Sequence, residues 1–124
     1  MTHAVGVVLV VEDEPAIQDV MREELESQGL EVLAVSSGEE SLMLLETRSV
    51  DLIIMDMRMP GMNGVETSIA IKHRFPDLPI ILCTVCEQWR VRQFIGREIQ
   101  AYLPKPFTLR QLNETVQTAL AGLR

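Results

Sequence analysis

The chain has 124 residues, 47% of them hydrophobic, and a formal net charge of −7. That length fits one domain spanning 1–124 with a core of its own, while the acidic balance and the few aromatics (one Trp, one Tyr, three Phe) argue against direct nucleic-acid binding by this domain. No apolar run is long enough to cross a bilayer and no signal-peptide pattern opens the chain, so the expectation is a cytoplasmic protein with no membrane contact.

In chain order, apolar runs alternate with amphipathic stretches. Val5–Val11 reads as a first strand. Glu14-Pro15 then opens a helix, because proline loses nothing at an early helical position. Ile17, Val20, Met21 and Leu25 give that helix a stripe at helical spacing, and Gly29 ends it. Glu31–Val35 is a second strand. Ser37-Gly38-Glu39-Glu40 has the spacing of a capping box for a helix that buries Leu42, Leu44 and Leu45.

Val50–Met55 is a third strand, continuous rather than alternating, as in strands buried on both faces. It runs into Asp56 and a Met-Pro-Gly turn. Val65–Phe75 is helical and Pro76 stops it. Leu78–Thr84 is a fourth strand, followed by a weaker helical pattern over Glu87–Gly96 that contains Trp89. Ile99–Leu103 is a short fifth strand. Thr108 to Gln111 is a second capping box, and Leu109, Leu112, Val116 and Leu120 stripe the last helix.

This alternation predicts an α/β fold, a flavodoxin-like (βα)5 three-layer sandwich with a parallel sheet of order 2-1-3-4-5. In that order the first and third strands are neighbours, so Glu12 and Asp13 face Asp56 at the carboxyl edge, where open α/β sheets place their sites. Thr84 ends the fourth strand and Lys105 follows the fifth on the same edge. Three converging carboxylates repel one another and call for a cation. Neither His3 nor His73 lies near them, so a hard, oxygen-preferring ion is implied, and Mg²⁺ suits best. Lys105 adds a compact positive charge and Thr84 a hydroxyl. That set suits an incoming phosphoryl group attacked in line by an oxygen of Asp56. Cys83 and Cys86 form C-x-x-C, yet Cys83 sits in an apolar strand and reads as a small buried filler rather than a redox or zinc ligand. The methionines at 43, 55, 57, 59 and 62 read as packing.

Four segments in order, VVEDEP (10–15), DMRMPGMNG (56–64), PIILCT (79–84) and YLPKPF (102–107), resemble the receiver domain of bacterial two-component response regulators. The likeness covers nearly the whole chain. It implies a phosphorylation-dependent switch rather than an enzyme, with Asp56 accepting a phosphoryl group from a histidine kinase or phosphotransfer protein. It implies Mg²⁺ held by Glu12, Asp13, Asp56 and the backbone carbonyl of Arg58. Lys105 and Thr84 would contact the phosphoryl group and Tyr102 would turn inward behind them. Pro60 and Gly64 match the D-x-x-M-P-x-M-x-G pattern, and Lys105-Pro106 resembles the family's cis peptide. Phosphorylation would bias the surface formed by the Glu87–Gly96 stretch, the fifth strand and the last helix toward an output domain or partner protein, or toward a homodimer.

The chain departs from the family pattern in places. Glu12 is longer than the more usual Asp, and Val85 stands where a small residue is common. Glu98 stands where a turn glycine is common, and the Thr84–Lys105 segment is about a residue short, which predicts a short or displaced fourth helix. Arg58 and Cys86, with Val85, flank the path of an attacking water and are expected to tune the phosphate's lifetime. Two other readings stand beside the switch. One is a pseudo-receiver that is never phosphorylated. The other is a Mg²⁺-dependent phosphatase of the haloacid-dehalogenase type, against which Arg58 replaces the second acid of D-x-D.

Overall fold

A computed structural model describes residues 6–85 and 99–122. In it, five parallel strands lie in the order β2-β1-β3-β4-β5: β1 Val7–Val11, β2 Glu31–Val35, β3 Leu52–Asp56, β4 Ile80–Thr84 and β5 Ala101–Pro104. Four helices are described among these residues: α1 Pro15–Ser27, α2 Gly38–Leu45, α3 Gly64–Arg74 and α4 Leu109–Ala121. The expected strand order is the observed one. The helical stretch expected over Glu87–Gly96, with Cys86, Trp89 and Glu98 around it, lies outside the described residues, as do Val5 and His3.

The continuous apolar strands have a simple cause. Successive strand residues point to opposite faces, and here both faces are covered. Val8, Val10, Leu52, Ile54, Ile81, Cys83 and Leu103 pack with Met21 and Leu25 of α1 and Leu112 and Val116 of α4. Leu9, Val11, Ile53, Met55, Ile80 and Leu82 form a second cluster on the other face with Leu45 of α2 and Ile71 of α3. Apolar burial on this scale dominates folding, at about 25 cal/mol per Å².

Some edges and faces differ from expectation. Val20 is 49% exposed, Leu109 42% and Met43 71%, so none of the three is a core position. In α1 and α4 the core contact narrows to Met21, Leu25, Leu112 and Val116, with Ile17 and Leu120 half-buried at its margin. β3 starts at Leu52; just before it the Asp51 N–H donates to the Val7 carbonyl at 2.8 Å while the Asp51 carboxylate, in place of a backbone carbonyl, accepts the Val7 N–H at 2.8 Å. β4 starts at Ile80, after Pro79, which has no N–H to give the ladder. β5 begins at Ala101, two residues late. The Gln100 side chain accepts the Ile80 N–H at 2.6 Å and so takes the place of a ladder carbonyl.

The helix starts are also informative. Ser37 accepts the Glu40 N–H as expected, but Glu40 reaches back one residue further, to the Ser36 N–H at 2.6 Å, so the box is not reciprocal. Thr108 and Gln111 form a full capping box. So do Asn63 and Glu66, at the start of α3.

Candidate functional site

The carboxyl ends of β1, β3, β4 and β5 meet at one edge, and a cleft of about 260 Å³ opens there. Asp13, Glu14, Asp56, Met57, Arg58, Thr84, Val85 and Lys105 line it. Asp56 is the last residue of β3, paired in register with Cys83, and is buried. Glu12 continues β1 beneath the cleft, where its N–H donates to the Val35 carbonyl. Carboxylate oxygens of Glu12, Asp13 and Asp56 lie within 4.8 Å of one another. Oxygen donors alone, converging at that spacing, fit a hard divalent cation such as Mg²⁺.

Lys105 is the positive partner. Its Nζ lies 3.0 Å from Asp56 Oδ1 and 3.2 Å from Glu12 Oε1. The Lys105 backbone N–H donates to the Thr84 carbonyl at 3.0 Å, extending the β4–β5 ladder to the residue that carries the ammonium. The Lys105-Pro106 bond is cis. The other oxygen of Glu12 accepts the Glu14 N–H at 3.1 Å, so both of its oxygens are engaged by the chain itself.

Burial raises the pKa of Asp56, and Asp13 adds to that, while Lys105 and the backbone of Arg58 oppose it. Burial likewise raises Glu12 against the Glu14 N–H, with Asp56 pushing up and Lys105 down. Burial pulls Lys105 down, but its pairing with Asp56 and Glu12 outweighs this and holds it above its usual value. Among the described residues, the cluster of Glu12, Asp13 and Asp56 is paired with the Lys105 ammonium, which leaves more acid than base within it and a demand for positive charge. Below it, burial pushes the Cys83 thiol up to about 12, which keeps it a neutral filler.

The predicted residues do not all gather here. Thr84 is buried at the cleft wall, and Val85 is 62% exposed at its rim. Tyr102 is half-buried and packs with the Leu82 face of the sheet rather than lining the cleft. Pro60 is exposed in the turn beyond β3. Gly64 is a structural neighbour of the site: a Cβ on it would lie 2.5 Å from the Asp56 carbonyl oxygen and 2.9 Å from Met57 Cα. Only glycine lets α3 approach the strand end so closely. Cys86 lies outside the described residues. The Glu14 N–H and the Asn63–Glu66 box were not foreseen; the Asn-x-x-Glu spacing of the second was there to be read.

A family model, the response regulator receiver domain, matches residues 8–117. This chain belongs to the receiver family. Receiver domains of response regulators are signalling modules, not enzymes with a separate substrate. The receiver is 33% identical over 115 residues to the alkaline phosphatase synthesis transcriptional regulatory protein PhoP of Bacillus subtilis, covering 91% of this chain and 48% of the relative. It is 32% identical over 117 residues to the DNA-binding transcriptional regulator NtrC of Salmonella typhimurium, covering 94% of this chain and 25% of the relative. The receiver therefore spans less than half the length of these relatives. Among solved structures it is similar to the response regulator TrrA of Thermotoga maritima in complex with Mg²⁺-BeF, with a TM-score of 0.85 and 34% identity, covering 94% of this chain and all of that one. No helix among the described residues is long and apolar enough to cross a membrane.

Proposed function

We propose that this receiver, one domain over 1–124, is a switch set by phosphorylation of Asp56. The observation that carries the reading is the Asp56 carboxylate on the cleft wall, 3.0 Å from Lys105 Nζ and clustered with Glu12 and Asp13. An oxygen of Asp56 attacks phosphorus, and the P–N bond to the histidine of a kinase or phosphotransfer protein breaks. The leaving imidazole keeps the bonding pair and takes up a proton. The product is a mixed carboxylic–phosphoric anhydride. Asp13 and Asp56, with Glu12 and the Arg58 carbonyl, would hold Mg²⁺, which supplies charge neutralisation for the acids and the phosphoryl oxygens.

The chain's own residues do the rest. Lys105 is already beside the attacking carboxylate and turns its ammonium to the phosphoryl oxygens. Thr84, at the end of β4 between Asp56 and Lys105 in the sheet order, offers its hydroxyl to the same group. A phosphoryl group brings almost two negative charges and three strong acceptors, so it favours the conformer in which Thr84 and Lys105 close on it. Tyr102, half-buried on β5 behind Thr84, moves inward with that closure and alters the surface expected of the Glu87–Gly96 stretch, β5 and α4. An output domain, a partner protein or a second copy reads that face. Arg58, Val85 and Cys86 set how readily water reaches the phosphate. The process belongs to the cytoplasm.

The solved complex of TrrA, a chain 34% identical, with Mg²⁺-BeF supports the cofactor. Acetyl phosphate with Mg²⁺ tests the reading by intact mass. One adduct of 80 Da is expected, formed only with the metal and removed by hydroxylamine. A protein that binds no Mg²⁺ and gains no mass is the pseudo-receiver instead.

A further inference from the structure

Gln18 lies in α1, 6 residues beyond Glu12, and its side chain turns back to the sheet edge. Its Nε2 donates to the Glu12 carbonyl at 3.0 Å and to the Val35 carbonyl at 3.1 Å. Val35 ends β2, and its carbonyl also accepts the Glu12 N–H at 3.1 Å. The Gln18 N–H is itself anchored to the Glu14 carbonyl at 3.0 Å. One amide thus ties α1 and the ends of β1 and β2 together.

We propose that Gln18 is the positioning residue for the acid pair; this rests on the reading of the site as a Mg²⁺ site. The Glu12 carbonyl belongs to the peptide plane that joins Glu12 to Asp13. Holding that oxygen fixes the tilt of the plane, and the tilt sets where both carboxylates leave the backbone. The Glu12 N–H to Val35 bond fixes the preceding plane, so Glu12 is held from both sides. An amide nitrogen carries two protons, and both find a carbonyl here. The reversed amide would set its oxygen against two carbonyl oxygens, so the partners themselves dictate which atom is nitrogen. Mg²⁺ demands near-ideal octahedral geometry, so a loosened Glu12–Asp13 plane weakens the site without removing any ligand.

Two isosteric variants separate positioning from charge. Gln18→Met removes both donors and stays neutral. Gln18→Glu removes both donors and adds a negative charge, which by electrostatics alone would tighten cation binding. Calorimetric titration of the full chain with MgCl₂ is expected to show affinity about tenfold weaker in both variants, the usual scale for loss of an outer partner. The rate of adduct formation from acetyl phosphate should fall at low Mg²⁺ and recover at saturating Mg²⁺, so the metal constant changes and the maximal rate does not. Unchanged affinity in Gln18→Met, or tighter binding in Gln18→Glu, overturns the proposal. Failure of the unsubstituted chain to take up Mg²⁺ overturns the reading of the site, and the role of Gln18 with it.

Discussion

Asp56 is costly to the fold that carries it. Its carboxyl and that of Glu12 are both held above their usual values, chiefly by burial. An acid whose pKa is higher folded than unfolded binds more protons in the folded chain between those two values. Stability therefore falls as pH rises through that window, from the ordinary carboxylate range of 3.8 to 4.5 up to the raised values. Metal-free protein should accordingly lose melting temperature as pH rises across it, and Asp56→Asn should lose less. Above about neutrality the Asn variant should melt higher than the parent in EDTA. A steeper loss in Asp56→Asn would contradict the charge balance drawn here. Cys83 and Lys105 are also raised, so each lowers stability as pH rises above its ordinary value, 9.0 for the thiol and 10.5 for the ammonium, and neither adds slope in the acid window. The role of Asp56 was legible because a single acid ended an apolar strand. Glu12 was legible as an acid, but not as one whose two oxygens are already taken by Lys105 and the Glu14 N–H. That arrangement depends on the turn into α1, which no spacing rule specifies. Gln18 bears no motif at all; its part follows only from where α1 meets the strand ends.

At the scale of elements, the junction of β3 with α3 decides how well the site is built. Gly64 opens α3 against the Asp56 carbonyl, and its N–H donates to the Met57 carbonyl at 2.8 Å. Gly64→Ala would press a methyl group onto the backbone of Asp56 and Met57 and onto Leu82. Overpacking of this kind costs about 1–3 kcal/mol, readable as an earlier urea midpoint with an unchanged slope. A variant as stable as the parent would show that α3 can step back at no cost. The existence and type of the described elements were readable from the apolar runs and the prolines. Their ends were less so, because side chains intervene there: the Asp51 carboxylate takes the Val7 N–H just before β3, and Gln100 replaces the ladder at the start of β5. The helix faces were read too broadly, since spacing alone makes Val20 and Leu109 part of a stripe that the neighbouring helix and sheet do not cover.

Across the whole molecule, the sheet order brings residues 12, 13, 56 and 105 together from three separate segments. Alternation of strand and helix was enough to anticipate that order, because crossovers share one hand. The relatives PhoP and NtrC are transcriptional regulators of which this chain spans less than half. The central claim is local and can be tested by itself. After loading with acetyl phosphate and Mg²⁺, borohydride reduction converts an aspartyl phosphate to homoserine, and peptide mass mapping locates it. The account predicts homoserine at position 56 and at no other acid, and none in Asp56→Asn. Homoserine at Asp13 or elsewhere, or an adduct that persists in Asp56→Asn, would contradict it.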